Sequence, residues 1–324
     1  MNRRATGALL LLALLWGGSF PFIRVAVPEF GPLPLMALRA LIGAAVLVPM
    51  LAFSGRLGSL RDRTGHAFLV GVINSALPFV LFAWAQQFVP AGLNAILNAT
   101  TPFWTALVAW AWLGDQLDRR RVIGLLIGFG GVVILAWERA SFGAGGSGWA
   151  ILAALTAALS YGVSGSYMKR FLSGTNPLAI ATTSQLSASA LLTPFALLNL
   201  PATLPSAKAC WAVLMLGVFC TGFAYAIFFW LIETVGSARA TTVTFLVPLF
   251  AVTWGGLLLD EQVTWDMVIG GGVVLAGTAL TLGFSPTLRL PLRLPLRRRP
   301  NPSAASAASA ASAASAASAA SAEP

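Results

Sequence analysis

Ten runs of predominantly apolar residues follow one another along the chain, with short polar connections between them. Each run is about 20 residues long, the length that an α-helix needs to cross the hydrocarbon core of a bilayer. A spanning β-strand would be about half as long and would alternate apolar and polar residues. The sequence therefore predicts an all-α polytopic membrane protein with ten transmembrane helices. The runs cover about residues 5–27, 34–53, 67–88, 92–113, 121–138, 148–168, 177–198, 210–232, 239–259 and 266–284.

The composition excludes a soluble protein of this length. Only 9% of the 324 residues are charged and 57% are hydrophobic, whereas soluble domains carry about 25% charged residues. The formal net charge of +10 is not spread along one face, as in a nucleic-acid-binding protein, but lies in short clusters between apolar runs and near the C-terminus. We therefore expect membrane lipid around the chain and no nucleic acid as a partner.

The positive charges also predict an orientation. Sixteen of the 20 Lys and Arg residues fall at the N-terminus, in alternate loops and near the C-terminus, all on one predicted side of the membrane. The other four are Arg24, Arg39, Arg139 and Lys208. Because cytoplasmic loops carry the excess of Lys and Arg, both termini are predicted to be cytoplasmic in a bacterial inner membrane. An even number of spans agrees with this orientation.

The chain contains an internal repeat. When it is shifted by 146 residues, Gly71, Trp84, Pro102 and Gln116 each fall on an identical residue, and the N-terminal part matches at a shift of 145. Each half then holds five predicted spans, an odd number, so the second half enters the membrane from the opposite side. The sequence predicts two inverted five-helix repeats, residues 1–140 and 146–284.

The C-terminal residues differ in composition from the repeats. Residues 285–302 are basic and interrupted by prolines, so we expect a cytoplasmic segment that cannot continue a helix. Residues 303–322 repeat Ser-Ala-Ala without an apolar stripe. A tract with nothing to bury is typical of disorder, and a disordered tail is predicted over 303–324.

The motifs resemble the drug/metabolite transporter superfamily, in its ten-helix EamA-type branch. The resemblance covers about residues 5–284 and depends on WGGSF at 16–20, Arg39, TTPFWTALVAWAWLGDQ at 100–116 and LVPLFAVTWGGLLLDEQ at 246–262. It implies a transporter of small metabolites, similar to bacterial amino-acid exporters. The halves differ where Arg39 falls on Ser184 or Gln185, and the acidic position after the fourth and ninth spans is Asp115 in one half and Glu261 in the other.

Ionisable groups are almost absent from the predicted spans. No Asp or Glu lies near the midpoint of any span, and the single histidine, His66, lies at a loop–helix junction. Metal sites and hydrolytic triads need clusters of such residues, so we expect no metal, no cofactor and no enzymatic activity. A carboxylate proton relay is also missing, which favours facilitated efflux over proton exchange.

Polar and aromatic residues within the spans are the candidates for substrate binding. Asn94 and Asn98 lie one helical turn apart, and an unpaired amide in hydrocarbon is costly. Arg39 has two interpretations: its side chain reaches the outer interface by snorkelling, or its charge attracts anions near the outer mouth of a substrate path. The predicted substrate-binding residues are Trp16, Ser19, Arg39, Asn74, Pro78, Phe79, Trp84, Asn94, Asn98, Thr101, Tyr161, Ser164, Thr221, Tyr225 and Thr244.

The functional hypothesis is a monomeric inner-membrane exporter of small metabolites, with neutral or aromatic amino acids as the favoured substrates. A zwitterion suits a site that offers amides, hydroxyls and helix-end dipoles. Two alternatives stay open on the sequence: an exporter of cationic drugs or lipid-like compounds, and a membrane receptor or assembly factor that transports nothing. The sequence leaves the individual substrate and the energy coupling open.

Overall fold

The structure is a computed structural model that describes residues 3–55, 63–137, 142 and 147–283. Within these residues every regular element is helical. The C-terminal predictions, for residues 285–302 and 303–324, lie outside the described residues. The helices are α1 (Arg3–Phe30), α2 (Pro32–Phe53), α3 (Thr64–Ala85), α4 (Ala91–Asn98), α5 (Thr101–Val108), α6 (Arg119–Trp137), α7 (Ser147–Phe171), α8 (Pro177–Leu197), α9 (Ala207–Val235), α10 (Ser237–Ala240), α11 (Val243–Leu259) and α12 (Trp265–Thr281).

Six of these helices are long and apolar enough to cross a membrane: α1, α2, α3, α6, α7 and α9. Two further apolar helices, α11 and α12, have 17 residues each. Because lipid offers no partner to backbone polar groups, such helices keep their hydrogen bonds internal. The chain is an all-α polytopic membrane protein, as the composition predicts.

Two prolines that coincide under the repeat, Pro102 and Pro248, lie at different places in their helices. The fourth apolar run, 92–113, is divided, because α4 ends at Asn98 and α5 begins at Thr101, directly before Pro102. Its counterpart Pro248 lies inside the continuous helix α11. A proline is tolerated in the first turn of a helix because its missing N–H has no intrahelical partner there. The two equivalent prolines therefore differ in their place within a helix.

The helices α6 and α12 contact each other through glycines. A Cβ atom added to Gly131 would lie 2.8 Å from the Gly270 carbonyl oxygen, and one added to Gly277 would lie 2.6 Å from that of Gly124. Backbones this close leave no room for a side chain, and small residues are the usual means of close packing in membranes. Glycine therefore sets the distance between these two helices.

A second pair of glycines lies where α1 and α7 cross other helices. A Cβ atom on Gly17 would lie 2.6 Å from the Cβ of Phe250, and one on Gly162 would lie 2.8 Å from the Cβ of Trp104. The shift of 145 residues relates the two glycines, and the shift of 146 relates the two aromatic residues. The same close crossing thus occurs once in each half of the chain.

Two adjacent glycines of α6 allow a matched test of this packing. We expect Gly131→Ala to lower the free energy of unfolding by about 1–3 kcal/mol, because its methyl group overlaps the backbone of α12. Gly130→Ala meets no atom within 4 Å and should be neutral or stabilising by up to about 1 kcal/mol. Thermal unfolding of both purified variants in detergent checks the difference. Equal midpoints for the two variants would contradict glycine-limited packing.

Candidate functional site

Two π-helical turns place polar groups in the interior. Residues Val72–Ala76 interrupt α3, and residues Val218–Phe223 interrupt α9. The shift of 146 residues relates their first positions, and π-turns are frequent at functional sites because they change the direction of side chains. Ser75 and Thr221 occupy equivalent positions in these turns, and both are fully buried.

Arg39 lies in the protein interior beside the second of these turns. Its side chain is 7% exposed, its Nε donates a hydrogen bond to Thr221 Oγ1 at 3.0 Å, and its guanidinium carbon lies 3.8 Å from the centre of the Phe79 ring. A snorkelling side chain would place its charged end in the interface. The burial of the guanidinium argues against a snorkelling side chain, because Thr221 and Phe79 hold it among α2, α3 and α9.

The other half has a neutral equivalent of the Arg39–Thr221 contact. The Ser75 and Ser184 hydroxyl oxygens are 2.9 Å apart, and Gln185 Nε2 donates to Ser75 Oγ at 3.0 Å. The repeat shifts relate Ser184 to Arg39 and Ser75 to Thr221. Gln185 Oε1 is buried without a hydrogen-bond partner among the described residues. The two halves thus present a cation on one side and an unpaired amide oxygen on the other.

Aromatic rings form the wall of this region. The ring centres of Trp16 and Phe228 are 5.1 Å apart, and those of Tyr161 and Phe82 are 6.1 Å apart. The repeat shifts relate these two contacts as well. Trp16 also contacts Tyr225 edge to face at 6.3 Å. Tyr161 and Tyr225 are half-buried.

Further predicted residues complete the polar lining. Ser164 donates a hydrogen bond to Asn74 Oδ1 at 3.2 Å, and Ser19 donates to the carbonyl oxygen of Trp16 at 2.6 Å. Tyr225 interacts through its hydroxyl with Asn74 and Ser75. These contacts connect α1, α3, α7 and α9 around one region, which we call the central site. Its members are Trp16, Ser19, Arg39, Asn74, Ser75, Phe79, Phe82, Tyr161, Ser164, Ser184, Gln185, Thr221, Tyr225 and Phe228.

The predicted residues of α4 and its neighbours have different roles. Asn94 is fully buried and donates through Nδ2 to the Phe82 carbonyl oxygen at 3.0 Å and to Gln86 Oε1 at 2.6 Å. Asn98 is half-buried, and its carbonyl oxygen accepts a hydrogen bond from Thr101 at 2.7 Å. Asn94 therefore holds α4 against α3, whereas the Asn98 side chain is largely uncommitted.

Three predicted residues lie outside these contacts. Trp84 stacks obliquely on Phe88 near the end of α3, with ring centres 5.0 Å apart. Pro78 is buried in α3, two residues after the π-turn. Thr244, the repeat equivalent of Asn98, donates to the Thr241 carbonyl oxygen at 2.8 Å. The structure thus separates these three from the aromatic and polar contacts of the central site.

Sequence reasoning missed five site members, which are Ser75, Phe82, Ser184, Gln185 and Phe228. The repeat contained a signal for all five. Ser184 and Gln185 are the positions on which Arg39 falls. Ser75 falls on the predicted residue Thr221, and Phe82 falls on the identical residue Phe228.

An ion pair lies at each of two ends of the bundle. Arg24 Nε is 4.0 Å from Glu261 Oε1, and both Glu261 oxygens accept from the Ala91 backbone N–H at 3.0 and 2.9 Å. Arg24 also donates to the Gln86 carbonyl oxygen. Lys169 Nζ is 2.7 Å from Asp115 Oδ2. The repeat shifts relate Arg24 to Lys169 and Glu261 to Asp115, so these are equivalent contacts.

The two ion pairs differ in exposure. The side chains of Arg24 and Glu261 are 38% and 16% exposed, whereas those of Lys169 and Asp115 are 61% and 38% exposed. Glu261 also lies at the N-terminus of α4, where backbone N–H groups and the helix dipole favour a carboxylate. An exposed pair contributes little because water screens it. The Arg24–Glu261 pair is therefore the less exposed of the two and has the additional backbone donor.

The chain belongs to the EamA-like transporter family. The family model matches residues 4–137 and, separately, residues 148–283. Together the two matches cover the helices that form the central site and both ion pairs. The protein is a membrane transporter of this family, and the family resemblance predicted from the motifs is confirmed.

Relatives in several bacteria are similar over most of this chain. The "Uncharacterized transporter YvbV" of Bacillus subtilis is 28% identical over 85% of this chain and 90% of its own. The "Uncharacterized inner membrane transporter YedA" of Escherichia coli is 27% identical over 86% and 90%. The "Probable terminal-alkyne amino-acid exporter" of Streptantibioticus cattleyicolor is 26% identical over 86% and 93%. All three are named as transporters or exporters.

A crystal structure shares the fold. It aligns with a TM-score of 0.62 at 20% sequence identity and covers 86% of this chain and 96% of the other. At this identity the likeness concerns the fold alone.

The two asparagines of α4 provide a matched test of their roles. We expect Asn94→Ala to lower the free energy of unfolding by about 1–3 kcal/mol, because it leaves the buried Gln86 amide oxygen without a donor. Asn98→Ala should stay within about 0.5 kcal/mol of the unmodified protein, since its side chain makes only a long contact of 3.4 Å to Thr101. Thermal unfolding in detergent measures both. A greater loss of stability in Asn98→Ala would reverse the assignment.

Proposed function

We propose that this transporter exports neutral or aromatic amino acids by alternating access at the central site. Its ten transmembrane helices form two inverted five-helix halves, in which α4 and α5 together make one span and α10 and α11 another. The proposed location is a bacterial inner membrane, with both termini cytoplasmic and a monomer as the working unit. The observation that carries this proposal is that contacts around the central site occur in equivalent pairs.

Three kinds of paired contact support an inverted repeat. A Cβ atom added to Gly71 would lie less than 3 Å from Ser187 on the neighbouring helix. One added to Gly217 would lie less than 3 Å from Ile42. The repeat shifts relate these residues too. The π-turns and the end ion pairs repeat in the same way, and the family model matches each half separately. Two similar halves of opposite orientation can exchange shapes, which opens one site to either side in turn.

The end ion pairs supply the two closures that alternating access needs. With the N-terminus cytoplasmic, Arg24–Glu261 lies at the periplasmic end and Lys169–Asp115 at the cytoplasmic end. In this conformation the periplasmic closure is reinforced by the Ala91 N–H, and the cytoplasmic pair is more open to water. Exchange of shapes would give Asp115 the enclosed environment that Glu261 has here. Opening at one end then accompanies closing at the other.

The chemistry of the central site suits a zwitterion. Arg39 offers N–H donors to a carboxylate, and the Gln185 and Asn74 amide oxygens can accept from an ammonium group. Trp16, Tyr161 and their ring partners form an apolar wall for the side chain. The relative from Streptantibioticus cattleyicolor, whose name describes a probable amino-acid exporter, supports the same substrate class.

The alternatives fit the site less well. A cationic drug would meet the buried positive charge of Arg39, and like charges in a medium of low dielectric repel strongly. A receptor or assembly factor has no need of equivalent closures at two ends. Arg39 and Gln185 bond to the hydroxyl groups of Thr221 and Ser75 and not to a carboxylate, so we propose facilitated efflux without a proton relay.

Transport in liposomes tests the proposal. Vesicles that contain the purified protein and are preloaded with labelled phenylalanine should release it faster than protein-free vesicles, with equal pH on both sides. Ser164→Ala, which removes the donor to Asn74 Oδ1 in the central site, should slow release by about five- to tenfold, the effect of one lost hydrogen bond, while the protein stays folded. Thr244→Ala, whose hydroxyl bonds to the Thr241 carbonyl oxygen outside the central site, is the control and should leave the rate unchanged.

Three results would contradict the proposal. Release that requires an imposed pH gradient would overturn the facilitator. Movement of a lipophilic cation in place of any neutral amino acid would favour the drug alternative. An unchanged rate in Ser164→Ala would contradict transport through the central site.

A further inference from the structure

Arg39 has hydrogen-bonding capacity that the protein does not use. Its Nε is bonded to Thr221, and the structure gives its terminal nitrogens Nη1 and Nη2 no hydrogen-bond or ion-pair partner among the described residues. The Arg39 nitrogens are not among the buried polar atoms that lack both a partner and accessible surface. Such atoms belong to Gln86, Asn94, Trp104, Ser166 and Gln185. The four N–H groups on Nη1 and Nη2 therefore have no acceptor among the described residues.

The position of this charge makes the missing partner costly. A charged side chain within a transmembrane bundle is expensive and normally pairs with another group. Arg24, by comparison, has Glu261 at 4.0 Å. Arg39 interacts electrostatically with Tyr161, Tyr225 and Cys220. Side chains of these types are uncharged near pH 7. The Phe79 ring contributes a cation–π contact but no negative charge.

We infer that Arg39 binds the carboxylate of the transported molecule, so that the substrates are compounds with a single carboxylate and an apolar body. The inference rests on the proposed function and adds the group that selects the substrate. A guanidinium presents its N–H donors in a planar fork that matches the two oxygens of a carboxylate. The Phe79 ring covers one face of this plane, and Thr221 occupies Nε, so the Nη edge remains for the ligand.

One positive charge favours a carboxylate over a phosphate ester. A phosphate ester carries up to two negative charges near neutral pH, and a second cation would be needed to balance it. Arg24 and Lys169 already form salt bridges with Glu261 and Asp115, so they do not supply this second cation. The aromatic wall of Trp16, Tyr161 and Tyr225 suits an apolar body attached to the carboxylate.

The two halves of the chain differ in charge at the position of Arg39. The equivalent position in the other half is Ser184, which is neutral and bonded to Ser75. A single charge in one half means that the carboxylate stays with α2 while the closures at the two ends exchange.

Ligand-dependent thermal unfolding of the full chain in detergent tests the inference. The probes are two matched pairs, 3-phenylpropionate with 3-phenylpropionamide and phenylalanine with phenylalaninamide, with phenyl phosphate as the alternative anion. We expect each acid to raise the unfolding midpoint at concentrations about 10- to 100-fold lower than its amide, the effect of a charged hydrogen bond. Arg39→Gln should abolish this preference, and Arg39→Lys should retain part of it. Lys208→Gln, which removes an exposed positive charge outside the central site, should keep it.

The outcomes separate this inference from the proposed function. Equal effects of acid and amide on the unmodified protein, no effect of any acid, or a stronger effect of phenyl phosphate would overturn the role of Arg39, whatever the liposomes show. An acid preference that survives in Arg39→Gln would also overturn it. The comparison of acids with amides needs no variant, so poor folding of Arg39→Gln would not prevent a decision. Acid-selective binding without any transport would instead contradict the proposed function alone.

Discussion

The close approach of helix backbones at glycine determines the arrangement of this protein. At the Gly17, Gly162, Gly71 and Gly217 crossings, an added Cβ would lie less than 3 Å from a neighbouring side chain or backbone. Helices in lipid gain no hydrophobic advantage from pairing and depend on such tight packing and on interhelical hydrogen bonds. Because the crossings bring α2, α3, α8 and α9 together, the hydroxyls of Ser75, Ser184 and Thr221 can bond between helices.

The distribution of charge follows from the same packing. Paired charges lie at the ends of the bundle, where water lowers the cost of opening them. The single charge in the central site, Arg39, is unpaired and is held by Thr221 and Phe79. A closure has to open and close repeatedly, so a weak, hydrated ion pair suits it. A binding residue gains selectivity when its partner arrives only with the substrate, because an unsatisfied buried cation disfavours ligands that have no carboxylate or other anionic group.

Much of the fold could be predicted from the sequence, because length and apolarity alone determine which segments become membrane helices. The interior was harder to predict. Arg39 lies near the start of an apolar run, where snorkelling is the common outcome, and only the contacts of α9 show that it is buried. The π-turns have no sequence signature of their own. Asn94 and Asn98 look equivalent in sequence, yet the Asn94 amide is hydrogen-bonded to Gln86 and the Asn98 amide is not.

The central claim is that the two ends of the protein open and close reciprocally. Spin labels at equivalent exposed positions, Pro28 with Gln262 at one end and Ser173 with Gln116 at the other, would report both distances in a protein whose two cysteines are replaced by alanine. On addition of a transported amino acid, the account predicts a distribution in which one distance lengthens as the other shortens. Two distances that stay fixed, or that lengthen together, would contradict it.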